Sequence, residues 1–90
     1  MSGWTFLTHH GHVLVALAQD QDLTIDEISS RVGITSRATA GIVNDLVASG
    51  YVEKTRVGRK NAYTVHGDAP LRHPLNEHTT VTELLELLTH

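Results

Sequence analysis

The spacing of apolar residues changes once along this chain, and that change limits what it can fold into. Up to Leu46, apolar side chains recur every three or four positions. From Val52 to Val65 that spacing is lost, and YVEKTRV and AYTVH read with a period of two. A chain patterned this way begins with helices and continues into a pair of strands. The expected class is mainly α with a small β-hairpin (α+β).

The punctuation fits the pattern. In THHGHVLVALAQD, Thr8 can cap a helix whose Val13, Leu14, Leu17 and Ala18 share a stripe, with Gly11 weakening the first turn. In DLTIDEISSRVGI, Thr24 and Glu27 have capping-box spacing, Ile25, Ile28 and Val32 form the stripe, and Gly33 ends the helix. Leu23 is expected to make a one- or two-residue strand. TSRATAGIVNDLVASG follows at once, capped by Thr35 or Ser36 and stopped by Gly50. Thr39, Ile42, Val43 and Leu46 face inward; Ser36, Arg37, Ala40, Gly41 and Asn44 face outward, with Asp45 near them. Two short helices across a tight turn make a helix-turn-helix candidate. YVEKTRV and AYTVH then alternate around a turn at GRKN, and TVTELLELL ends the pattern with a capping box at Thr80 and Glu83.

Charge is distributed unevenly. The net charge is −3, yet residues 1–30 hold four acids and no Lys or Arg, and residues 67–90 hold four acids against Arg72. Between them, Arg31, Arg37, Lys54, Arg56, Arg59 and Lys60 outnumber Asp45 and Glu53. A local positive field of this kind suits a polyanionic partner. There is no cysteine, which excludes disulfides and thiolate metal sites. The longest apolar run, Val13–Ala18, is too short to span a bilayer and lacks the features of a signal peptide. A cytoplasmic protein without membrane association is expected.

The run LTIDEISSRVGITSRATAGIVNDLVASGYVEKTRVGRKNAYTV resembles the winged helix-turn-helix of small prokaryotic regulators of the MarR/ArsR type. The Leu-Thr-Ile entry, Gly33 in the turn, ASGYVEK between helix and strand, and GRKNAYTV as wing carry the likeness. It implies a sequence-specific DNA-binding transcriptional regulator, a repressor or autoregulator, acting as a homodimer on double-stranded DNA. Residues 1–66 would be the DNA-binding domain with its N-terminal arm, and 67–90 a connector and dimerisation helix.

Such a protein places a recognition helix, here 36–49, in the major groove. Arg37 could contact guanine in bidentate fashion and Asn44 could read adenine. Thr35 and Ser36 suit phosphate at the helix N-terminus. Ala40 and Gly41 would lie on the same surface, Gly41 where many relatives carry a long polar or basic side chain. Asp45 puts a negative charge near it. The wing, 56–61, would bring Arg56, Arg59, Lys60 and Asn61 to the backbone or minor groove. A solvated hairpin tip that only blocks edge pairing is the alternative for these charges.

Outside the shared core, Trp4, Phe6 and Leu7 form an apolar arm, and Leu84, Leu85, Leu87 and Leu88 cover more than one face of the last helix. Trp4, Phe6, Leu7, Leu84, Leu85 and Leu88 are the expected dimer interface. No separate sensor domain is expected in these ninety residues, so an effector of unknown chemistry would bind near Trp4 and Phe6 or be a partner protein. The seven histidines lack the i, i+4 spacing of helical zinc sites, and neither metal nor cofactor is expected. The chain has no glycine-rich phosphate loop, nucleophile elbow or carboxylate pair beside a basic residue, so catalysis is not expected. The rival reading is a winged-helix protein-interaction module without DNA binding.

Overall fold

Thr8, Thr24 and Thr35 each open a helix by turning a side-chain oxygen onto a backbone N–H that the helix leaves unpaired. The computed structural model describes residues 4–89. It contains helices α1 (His9–Gln19), α2 (Ile25–Val32) and α3 (Ser36–Ala48), strands β1 (Val52–Val57) and β2 (Lys60–Val65), and helix α4 (Val81–Thr89).

The α2–α3 turn is set by local chemistry. Thr24 Oγ1 accepts from Glu27 N–H while Glu27 Oε1 accepts from Thr24 N–H, closing the capping box. At the other end Gly33 adopts φ 86°, donates to Ser29 O, and lets Ile34 N–H reach the same carbonyl. Thr35, rather than Ser36, then caps α3, its Oγ1 accepting from Ala38 N–H at 3.1 Å. Leu23 forms no strand; it is buried in the core, and Gln21 O accepts from Tyr63 N–H nearby.

The hairpin register pairs Val52 with Val65, Lys54 with Tyr63, Arg56 with Asn61 and Val57 with Lys60. The turn is therefore the two residues Gly58 and Arg59. Gly58 has φ 63° and no non-glycine residue among those described has positive φ. Glycine in the first central position alone marks a type II′ turn, whose twist matches that of the strands. Lys60 and Asn61, read from sequence as turn residues, belong to β2.

Val13, Leu17, Leu23, Ile28, Val43, Val52, Tyr63 and Val81 form the centre of the core. Thr39 is fully buried among them with its Oγ1 bonded to Thr35 O at 2.9 Å, so its burial strands no polar group. The segment after β2 contributes to the same core through Val81 and Leu85. It is held by Val81 N–H to Ala69 O, Thr82 N–H to Gly67 O and a Pro70–Thr80 bridge. Leu85 is thus packed within the core of its own chain. No helix among the described residues is long and apolar enough to cross a membrane.

Candidate nucleic-acid interface

Burial divides α3 into two faces. Thr39, Ile42, Val43 and Leu46 are in the core, whereas Arg37, Gly41 and Asn44 are exposed. The last three are spaced i, i+4 and i+7, so they form one outward stripe along the helix. Ala40 is half-buried at its flank. Arg37 makes no hydrogen bond or ion pair among the described residues, and an added Cβ at Gly41 would have nothing within 4 Å. The stripe is a cationic end, a gap and an amide, all facing solvent.

Two residues expected beside this stripe are engaged elsewhere. Ser36 Oγ donates to Asp26 Oδ1 on α2 and lies 3.4 Å from Ser29 Oγ. Its one hydroxyl hydrogen is directed to α2 and ties α3 to it. Asp45 Oδ2 lies 2.8 Å from His10 Nε2 on α1, so this carboxylate is turned to the first helix. Thr35 likewise uses its hydroxyl as the cap.

The wing's basic cluster does not lie on one face. Directly paired residues of antiparallel strands share a face and neighbours along a strand alternate. Lys54 and Arg56 therefore share the face of Tyr63 and Asn61, while Lys60 lies with Val57 on the other. Arg56 Nε donates to Gly58 O and stiffens the turn. Arg59 stands exposed in the turn with no intrachain partner among the described residues. Asn61 is half-buried.

Acidic groups run close to the basic ones. Glu27 is held below its ordinary carboxyl range, first by the Thr24 backbone N–H, then by the Thr24 side chain, with a smaller contribution from the charge of Lys60. At the base of the wing, Glu53 Oε2 lies 3.5 Å from His66 Nε2. Sequence reasoning missed the Glu53–His66 contact because it joins residues from different elements.

Four of the seven histidines make contacts within the chain. His10 and His66 sit on carboxylates, His12 Nε2 lies 3.3 Å from Thr5 Oγ1, and His73 Nδ1 accepts from Leu75 N–H. Among the described residues, which exclude His90, no three His, Asp or Glu side chains converge as a metal site.

Three helices, a glycine-punctuated turn with an exposed second helix, and a basic two-stranded wing define a winged helix-turn-helix protein. The sequence profile of the MarR family matches residues 4–60, well over half of the chain. The chain belongs to the MarR family, whose members are DNA-binding regulators. Among solved structures it is similar to the zinc-dependent MarR family transcriptional regulator AdcR in its Zn(II)-bound state. That match has a TM-score of 0.55 and 20% identity, and covers 73% of this chain and 47% of that one. The chain thus spans about half the length of that regulator, and the likeness is one of fold. No curated protein matches the sequence.

Proposed function

We propose that this protein is a homodimeric, sequence-specific transcriptional regulator, a repressor or autoregulator, that sets α3 in the major groove. The observation that carries the reading is the outward stripe of α3. Arg37, Gly41 and Asn44 are exposed along one side of a helix whose other side is core. Arg37 supplies bidentate contact to guanine and Asn44 contact to adenine. Arg59, at the wing's turn, meets the backbone or minor groove, and Arg56 and Lys54 strengthen the field around it. Thr35 and Ser36 act by setting the helix, not by touching phosphate. Two subunits related by a two-fold axis read half-sites about 10 bp apart, or a multiple of that.

The test is fluorescence anisotropy with duplex DNA, including the region upstream of the protein's own gene, over a series of salt concentrations. Arg59→Ala is expected to weaken binding to all sequences and to lower the salt slope by about one. Arg37→Ala is expected to cost about 1–3 kcal/mol on the preferred site and to relax specificity there. Weak binding that is flat in salt and equal in all three proteins would exclude this interface and favour a protein-interaction role.

A further inference from the structure

The two largest exposed apolar side chains of the arm form a unit. Trp4 is 65% and Phe6 93% exposed, and their rings meet edge to face at 5.1 Å. Elsewhere on the surface lies a groove of about 530 Å³ with a mostly apolar lining, bounded by Gly11, Leu14, Leu46, Tyr51, Leu71 and Leu84. Its volume suits aromatic side chains, and its rim carries Asp45, Ser49 and Arg72. Asp45 already meets His10, and Ser49 Oγ accepts from Arg72 Nη1 at 3.3 Å; the remaining lone pairs of the two acceptors can take an indole N–H.

The arm does not fill this groove in its own chain, and the reason is visible. Thr5 Oγ1 donates to Leu7 O at 2.6 Å and lies 3.3 Å from His12 Nε2. His12 borders a different cleft with Val15, Ala16 and Gln19, whereas the groove is bordered by His10, Gly11 and Leu14. On a helix of 3.6 residues per turn these two sets lie on opposite sides of α1. Thr5 is thus held toward the far side of α1 and Leu7 lies over Gly11 at the groove's edge, while the Trp4 and Phe6 rings stay outside the groove and exposed.

Resting on the dimeric reading above, we infer that the subunits exchange arms: Trp4 and Phe6 of each copy dock in the α1–α3–α4 groove of the other. Both parts lie at the start of α1, since Thr8 borders the groove and Phe6 precedes it by two residues. A two-fold axis beside that helix end lets both exchanges form at once, as an isologous contact requires. Each aromatic side chain can bury about 150–250 Å². Four of them, with the groove walls they cover, reach the area of a stable small interface, about 1,200 Å² and upward. Because Asp45, Leu46 and Ala48 at the C-terminal part of α3 help line the groove, dimer formation bears directly on the recognition helix.

Trp4 is the only tryptophan, so its emission reports docking in the full chain. Sedimentation and emission are followed together on dilution. The expected result is a dimer with blue-shifted emission that moves to the red along the dissociation curve. Phe6→Ser, which impairs the arm, and Ala48→Phe, which fills the groove, are each expected to weaken the dimer about tenfold or more. Mixing these two variants is expected to recover association, because one intact arm then meets one open groove. Leu87→Ser, at an exposed residue outside the groove, is expected to leave it unchanged. A dimer whose Trp4 stays red, or no recovery on mixing two folded variants, overturns arm exchange and keeps the dimer. A monomer with blue-shifted emission means that the arm folds on its own groove, and a monomer with red emission at every concentration removes both readings.

Discussion

Ser36, the first residue of α3, donates its hydroxyl hydrogen to the carboxylate of Asp26, the second residue of α2. This bond spans the Gly33 turn and fixes the angle at which the outward stripe of α3 meets a partner. Both groups are exposed, so the loss of one leaves the other to water and the penalty is moderate.

Ser36→Ala is expected to lower stability by about 0.5–1.5 kcal/mol in urea unfolding. It is expected to weaken DNA binding without changing the salt slope, since no phosphate contact is removed. A slope reduced by about one would instead place the hydroxyl on a phosphate.

Gly41 separates structure from binding. It is helical, exposed, and has open space around an added Cβ. Gly41→Ala is therefore expected to stabilise the protein by about 0.5–1 kcal/mol. A melting midpoint higher by several degrees would show this. If α3 enters the groove along this stripe, the same methyl group meets DNA, and affinity falls while stability rises. Unchanged affinity would move the contact surface off Gly41.

What was legible in the sequence was what neighbours in the chain decide. The Thr24–Glu27 box, the stop at Gly33 and the inward set Thr39, Ile42, Val43 and Leu46 all follow from spacing within about ten residues. Gly58 followed by Arg59 was a readable two-residue hairpin signature, yet GRKN read as one turn hid the register that sends Lys60 and Arg56 to opposite faces. The Ser36–Asp26 and His10–Asp45 contacts, and the burial of Leu85, depend on how whole elements pack. Nothing in the local pattern distinguishes a leucine of α4 spent in the core from one left exposed.

The capping box makes stability depend on pH. Glu27 has a carboxyl pKa lowered from its ordinary value of 4.5 in the folded chain, so the unfolded chain binds protons more readily there. Its contribution is fully present above about pH 4.5 and is lost as pH falls through the lower folded value. Glu27→Gln keeps a side chain able to accept from Thr24 N–H but removes the titration. Urea midpoints measured from pH 6 to pH 3 are expected to fall less steeply in this variant than in wild type. Parallel curves would show that the acid limb comes from other carboxylates.

Gly67 joins the wing to α4 at close range. Its carbonyl accepts from Thr82 N–H at 2.8 Å, and a Cβ built on it would lie 2.0 Å from Thr82 Oγ1 and 3.3 Å from Thr82 Cβ. Gly67→Ala must push α4 outward or turn the Thr82 side chain, which is β-branched and restricted at χ1. The expected loss is about 1–3 kcal/mol. Thr82→Ala alone removes an exposed hydroxyl and is expected to change stability by less than about 0.5 kcal/mol. Combined with Gly67→Ala it relieves the clash with Oγ1 but not the tight approach to Cβ, so the double variant is expected to recover part of the loss. Such coupling between touching residues is of the order of 0.5–3 kcal/mol in a double-mutant cycle. Additive effects in urea unfolding would mean that the backbone after β2 yields on its own and that α4 is not held against the wing through this contact.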